Sequence, residues 1–161
     1  MIKPDKKATW QKPRVLLSLA VTTVTIMTIF AMPNTAVSAE RVVLPSAIRK
    51  CETVKRITCV VDGDTLWLRG DKIRVADIDT PEISEPKCAS ELRRGNKATE
   101  RFVTLINQGP FELHAWPGRD TDRYERKLRV LVRDGRSLSD ILVSEGLART
   151  WAGRREPWCG R

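Results

Sequence analysis

The residues able to do chemistry fall into three short clusters. Asp62 and Asp64 lie in VVDGDT, Arg74, Asp77, Asp79 and Glu82 in RVADIDTPE, and Arg123, Tyr124 and Arg126 in TDRYERKL. Carboxylates offer hard oxygen ligands to a cation, and a guanidinium grips a phosphate through paired N–H donors. Together they would suit a phosphodiester, whose charge rises in the transition state. Taken singly each cluster is ordinary: an Asp-Gly turn usually serves backbone geometry, and Arg–carboxylate pairs are common surface salt bridges. DGDTLWLRGDKI lacks the ligand spacing and terminal glutamate of an EF-hand loop.

Other chemistries are excluded by composition. The only histidine is His114, so a histidine pair is impossible and any Ser-His-Asp triad would depend on it. Alternation along FELHAW puts Glu112 and His114 on the face opposite Leu113, at the surface or a barrel rim. The expected general base is therefore a carboxylate. The four cysteines, Cys51, Cys59, Cys88 and Cys159, include no C-x2-C pair, which argues against zinc. An even count suits two disulfides in an oxidising compartment. Of three possible pairings, Cys51–Cys59 across a short hairpin with Cys88–Cys159 holding the C-terminal tail is favoured, and buried thiols are the alternative.

These residues must be positioned by one modest core, since the chain has 161 residues, 41% hydrophobic and 30% charged. Residues 1–39 read as a signal peptide: a basic leader (Lys3, Lys6, Lys7, Lys12, Arg14), an apolar run from Val15 to Met32, and AVSA before a cleavage point after Ala39. An uncleaved membrane anchor is the rival reading. Removing those residues, with five Lys/Arg and one Asp, leaves 24 basic and 19 acidic side chains out of 29 and 20, a net charge of about +5. That excess is compatible with a polyanionic partner.

Residues 40–52 are expected to be a linker and 53–161 the domain. TVKRITCVV, TLWLR and KIRVA, separated by Asp62-Gly63 and Gly70-Asp71, predict an antiparallel meander. A helix over 90–108 follows, with Leu92, Ala98, Phe102, Leu105 and Ile106 near one face and Gly109 as its stop. PFELHAW and LRVLVR are strands four and five, and Ser137 caps a second helix with Asp140 as an approximate capping partner. The expected fold is α+β and mainly β: a five-stranded oligonucleotide/oligosaccharide-binding (OB) barrel with two to three helices. A half-open sheet with two packed helices is the alternative.

VDGDT, RVADIDTPE and TDRYERKL, in that order and spacing, closely resemble the staphylococcal nuclease (thermonuclease-like) family over about 53–150. The resemblance implies the same OB barrel and a hydrolase; export, periplasmic or secreted, is what the N-terminal segment implies, and a monomer is expected. It implies calcium as cofactor and phosphodiester cleavage in DNA and RNA, by 5′-oxygen departure to 3′-phosphates. Asp64 and Asp79 match calcium carboxylates, Thr80 a residue giving its backbone carbonyl, Glu82 the catalytic glutamate, and Arg74 and Arg126 the catalytic arginines. Arg123 and Tyr124 match nucleotide-phosphate contacts. No stable protein partner is implied, and a noncatalytic nucleic-acid-binding OB module is the alternative function. Departures from the family pattern are Glu125 where glycine is common, Asp77 at an often apolar position, and the cysteines with the basic tail GRREPWCGR. Trp151 and Trp158 stand near the place of a missing base-stacking tyrosine.

Overall fold

The computed structural model describes residues 39–52 and 55–160, so the expected signal or anchor segment before Ala39 lies outside the described residues. The elements run β1 (Glu40–Val42), β2 (Cys59–Asp62), β3 (Thr65–Leu68), β4 (Asp71–Val75), β5 (Ile78–Asp79), α1 (Ala89–Asn107), β6 (Phe111–Ala115), β7 (Lys127–Arg133), β8 (Arg136–Ser137), α2 (Leu138–Ser144) and β9 (Arg149–Thr150).

β2, β3 and β4 form the meander, with Leu66 opposite Ile73 and Thr65 opposite Arg74. β7 then joins β4 in parallel and β6 in antiparallel register. The sheet order β1-β6-β7-β4-β3-β2, with β8 on β7 and a separate β5–β9 pair, contains the five expected strands. The architecture is an OB-like α+β fold with two helices among the described residues. The reason is the sequence pattern: apolar residues alternate in β4 and β6 and run together in β3 and β7, and the buried set packs against one stripe of α1.

Two expectations about this frame are corrected. The stretch read as a linker belongs to the domain: β1 pairs with β6, Lys50 bridges β2 at Val60 in parallel, and Val42 and Ile48 are buried. It carries the sheet from the edge of β6 round to the edge of β2. Cys51 and Cys59 are bonded, as are Cys88 and Cys159. The first pair does not span a hairpin, however, because the segment through Lys50 runs parallel to β2. The Cys51 amide donates to the Val60 carbonyl at 2.8 Å, and the first strand of the meander begins at Cys59.

On α1, Leu92 is exposed and Glu91 buried. The stripe Ala98, Phe102, Leu105, Ile106 extends one helical repeat back to Glu91 and Gly95, not to Leu92. The helix C-terminus has no basic residue of its own. Arg133 of β7 supplies one, donating to the carbonyls of Leu105 at 2.8 Å and Gly109 at 2.6 Å. Ser137 caps α2 as expected, its hydroxyl accepting from the Ser139 amide at 3.1 Å. His114 sits on the strand face shared with Glu112, 2.8 Å from it and away from the carboxylate clusters.

Candidate active site

The β2–β3 turn presents Asp64. Its backbone amide donates to Asp62 Oδ1 at 3.0 Å, which closes the turn. Gly63 is required at the centre: a Cβ there would lie 2.9 Å from both Ala98 Cβ and Thr80 Cγ2. The turn is thereby pressed against α1 and the segment after β5. Across that contact the Thr80 amide and hydroxyl both donate to Asp64 Oδ2 at 2.9 Å, and Thr65 donates to Oδ1 at 3.2 Å. Thr80 thus meets Asp64 through its amide and hydroxyl.

Arg74 comes from the end of β4, its side chain 9% exposed. It donates to the carbonyls of Val75 and Ile78 and lies 3.1 Å from Asp64 Oδ2. A buried guanidinium with that many fixed acceptors is held in one orientation. Asp79 ends β5 and is buried, whereas Glu82 on the following loop is partly open to solvent. Glu91 of α1 anchors that loop by accepting from the backbone amides of Lys87 at 2.6 Å and Glu82 at 3.4 Å.

The loop before β7 brings the second arginine. Asp122 accepts from the Arg126 side chain at 2.8 Å and from the backbone amides of Tyr124 and Arg126. Arg126 Nη1 also reaches Thr65 Oγ1 at 3.4 Å, next to Asp64. Arg123 and Tyr124 are exposed at the rim, the Arg123 guanidinium 4.7 Å from the Tyr124 ring. All six residues expected for catalysis and cation binding therefore gather where β3, β4 and β5 meet the loop before β7, with the two expected phosphate contacts beside them.

The family described as Staphylococcal nuclease homologue matches residues 72–158, more than half of the chain. The chain belongs to this family. Two relatives from Bacillus subtilis (strain 168) are similar over 93 residues, or 55% of this chain. They are an endonuclease, YncB, at 34% identity, and the SPbeta prophage-derived endonuclease YokF, at 37%. The chain covers 44% of the first and 31% of the second, less than half of either. The family match begins after Asp64, which enters the site of this nuclease homologue through its contacts with Thr80 and Arg74.

Around these groups the homologue has a cleft of about 660 Å³, lined by Arg74, Arg119, Arg123, Arg126 and Arg155, the carboxylates Glu82 and Asp122, and the rings of Trp116, Tyr124 and Trp151. Guanidiniums on the walls with aromatic faces between them suit a polyanion carrying bases. Of the two tail tryptophans, Trp151 lines the cleft. Trp158 is buried, with Arg149 stacked 3.8 Å from its ring centre and its indole N–H donating to Asp79 Oδ2 at 3.0 Å. It has no face left for a base.

The donor set fits a hard cation. The ligands on offer are oxygens, and Asp79 Oδ1 is buried without a hydrogen-bond donor aligned on it, with Arg155 Nε 2.9 Å away. Burial raises the Asp79 carboxyl above its ordinary range, and Asp64 adds to this against the pull of Arg155, Trp158 and Arg74. Burial, with the Asp64 charge beside it, likewise pushes Asp62 up to about 7. A second cluster, Cys88, Glu91 and Cys159, offers no thiolate because its sulfurs are bonded to each other.

Asp77, at a position often apolar in the family, faces α2 rather than the arginines. It accepts from Ser137 Oγ at 2.8 Å and Ser139 Oγ at 2.9 Å, which fastens the start of α2 beneath the site loop. Residues missed from sequence are Asp122 and Arg155, and Trp158, noted as a base-stacking candidate, is buried on Asp79 instead. Asp122 had a signal, a carboxylate four residues before Arg126. Arg155 had none beyond its place in a basic tail that a cysteine could tie down.

Proposed function

We propose that the chain is an exported, calcium-dependent nuclease that hydrolyses phosphodiester bonds of DNA and RNA, the 5′-oxygen departing to leave 3′-phosphates. The observation that carries this reading is the convergence of Glu82, Arg74 and Arg126 on one arginine-lined cleft, with Asp64 buried against Arg74 and Asp79 against Arg155 behind its wall. The naming of two relatives as endonucleases supports it.

Asp64, Asp79 and Thr80 would hold the cation, which when bound supplies polarisation of a non-bridging phosphate oxygen. Glu82, the carboxylate open to solvent, takes the proton of the attacking water. Arg74 and Arg126 hold the phosphate between them and offset its growing charge, positioned beforehand by backbone carbonyls in one case and by Asp122 in the other. Arg123 and Tyr124 hold the substrate at the rim. Export is supported by two disulfides, which persist in oxidising compartments.

The test incubates the purified protein with plasmid DNA, single-stranded DNA and RNA, in calcium and in chelator, beside Glu82→Gln. Cleavage that needs calcium and is lost in Glu82→Gln is expected. DNA retention without cleavage would replace the proposal with a noncatalytic binding barrel, and equal cleavage by both proteins would remove Glu82 from the mechanism. Fractionation of the producing cells, with an intact mass of the recovered protein, checks export and cleavage after Ala39.

A further inference from the structure

The C-terminal tail closes over the site from a direction that neither helix nor barrel requires. It is fastened at both ends: the Trp151 amide donates to the Asp77 carbonyl at 2.8 Å, and Cys159 is bonded to Cys88 at the start of α1. Between these points Arg155 reaches back across the cleft. Its Nε lies 2.9 Å from Asp79 Oδ1, and its Nη1 meets Glu82 Oε1. These are one carboxylate proposed to hold the cation and the carboxylate proposed as base.

We infer that Arg155 is a tethered internal cation of the Asp79–Glu82 pair, which exchanges with the metal ion and so holds the nuclease closed until metal arrives. This rests on the reading of Asp79 as a cation ligand. Two carboxylates brought together repel each other unless a positive charge lies between them, and Arg155 supplies it from a side chain 43% exposed, able to swing outward without opening the core. The tether makes the competition intramolecular, so the guanidinium is present at high effective concentration however dilute the protein. Neighbouring Arg154 has no such part, being 80% exposed and paired with Glu156.

A latch closed nine-tenths of the time weakens apparent metal affinity about tenfold. Calcium alone is titrated calorimetrically into the full chain as wild type, Arg155→Ala, Arg155→Gln and the charge-matched control Arg154→Ala, each first checked by thermal unfolding. Both Arg155 variants are expected to bind calcium about tenfold more tightly than wild type, and Arg154→Ala as wild type does. Equal affinity in all four, or weaker binding in the Arg155 variants, would overturn the latch while leaving the cation site standing. No calcium binding by any of them would overturn the cation site itself and the latch with it. The glutamine variant answers the question if the alanine variant does not fold.

Discussion

Gly95 of α1 lies so close to Pro81 that a Cβ built on it would stand 2.6 Å from the Pro81 carbonyl oxygen, and equally close to Ile83 Cγ2. The helix backbone is the floor on which the Glu82 loop rests. In an isolated helix Gly→Ala would stabilise by about 1 kcal/mol. Here the added methyl must push the loop or the helix away, an overpacking cost of about 1–3 kcal/mol. Gly95→Ala is expected to lower unfolding stability despite its better helix propensity, and to reduce cleavage further by displacing Glu82. Denaturant unfolding beside a cleavage assay checks this; a more stable, fully active variant would remove Gly95 from the support of the site.

Arg126 is held by Asp122, and both ends of that pair can be tested. Losing a single arginine aimed at developing phosphate charge costs on the order of 10²–10³ in rate, so Arg126→Ala and Arg74→Ala should each fall by that factor in turnover. Burial alone would raise the Asp122 carboxyl, but hydrogen bonds from the Arg126 side chain and from the amides of Arg126 and Tyr124 outweigh it and hold the group below its ordinary range. A carboxyl depressed in the folded state stabilises above its unfolded pKa and ceases to as pH falls through the folded one. The stability gap between wild type and Asp122→Asn should thus be constant from neutral pH down to about 4 and close below it. Urea unfolding from pH 7 to 3 reads this; a gap that widens on acidification would contradict the assignment.

The site clusters were legible in sequence because each is local. Asp64 and Arg74 sit at strand ends that β3–β4 registry brings together, and Asp79 and Glu82 follow within a few residues of β4, on and just after β5. The five barrel strands were legible for the same reason, through alternation and turn residues. Leu92 was misplaced because its apolar character outweighed the helical phase set by Ala98 and Phe102, which selects Glu91. The contacts of Arg155 and Trp158 were hidden because their partners Glu82 and Asp79 lie 73 and 79 residues away. The β5–β9 pairing and the Cys88–Cys159 bond close that distance, and the favoured cysteine pairing placed the tail near α1 without saying which of its side chains would face the carboxylates.

Glu125 adopts a left-handed backbone, φ +60°, between Tyr124 and Arg126. That conformation explains why glycine suits the position, since a Cβ there crowds the backbone by about 1–2 kcal/mol. Glu125→Gly gives up chain entropy of about 0.5–1 kcal/mol on folding, so the balance is neutral to slightly stabilising. A β-branched residue has no such relief, and Glu125→Val should cost at least a further 1 kcal/mol or so. Thermal unfolding of the two variants checks the order; if valine were tolerated as well as glycine, the loop would not hold a strained residue there.

Trp158 is the tail's polar anchor, because its indole N–H satisfies Asp79 Oδ2 inside the protein while Arg149 covers its ring. Phenylalanine keeps most of the ring contact and removes only the donor. A buried carboxylate oxygen left without its partner costs about 1–3 kcal/mol, and an Asp79 no longer fixed at one oxygen turns more freely at the other, Oδ1. Trp158→Phe should therefore lose about 1–3 kcal/mol of stability and bind calcium more weakly, the opposite direction from removing the Arg155 charge. Urea unfolding and calcium calorimetry on the same preparation separate the two tail residues. Tighter calcium binding in Trp158→Phe would mean that the indole, like the guanidinium, opposes the metal rather than preparing its ligand.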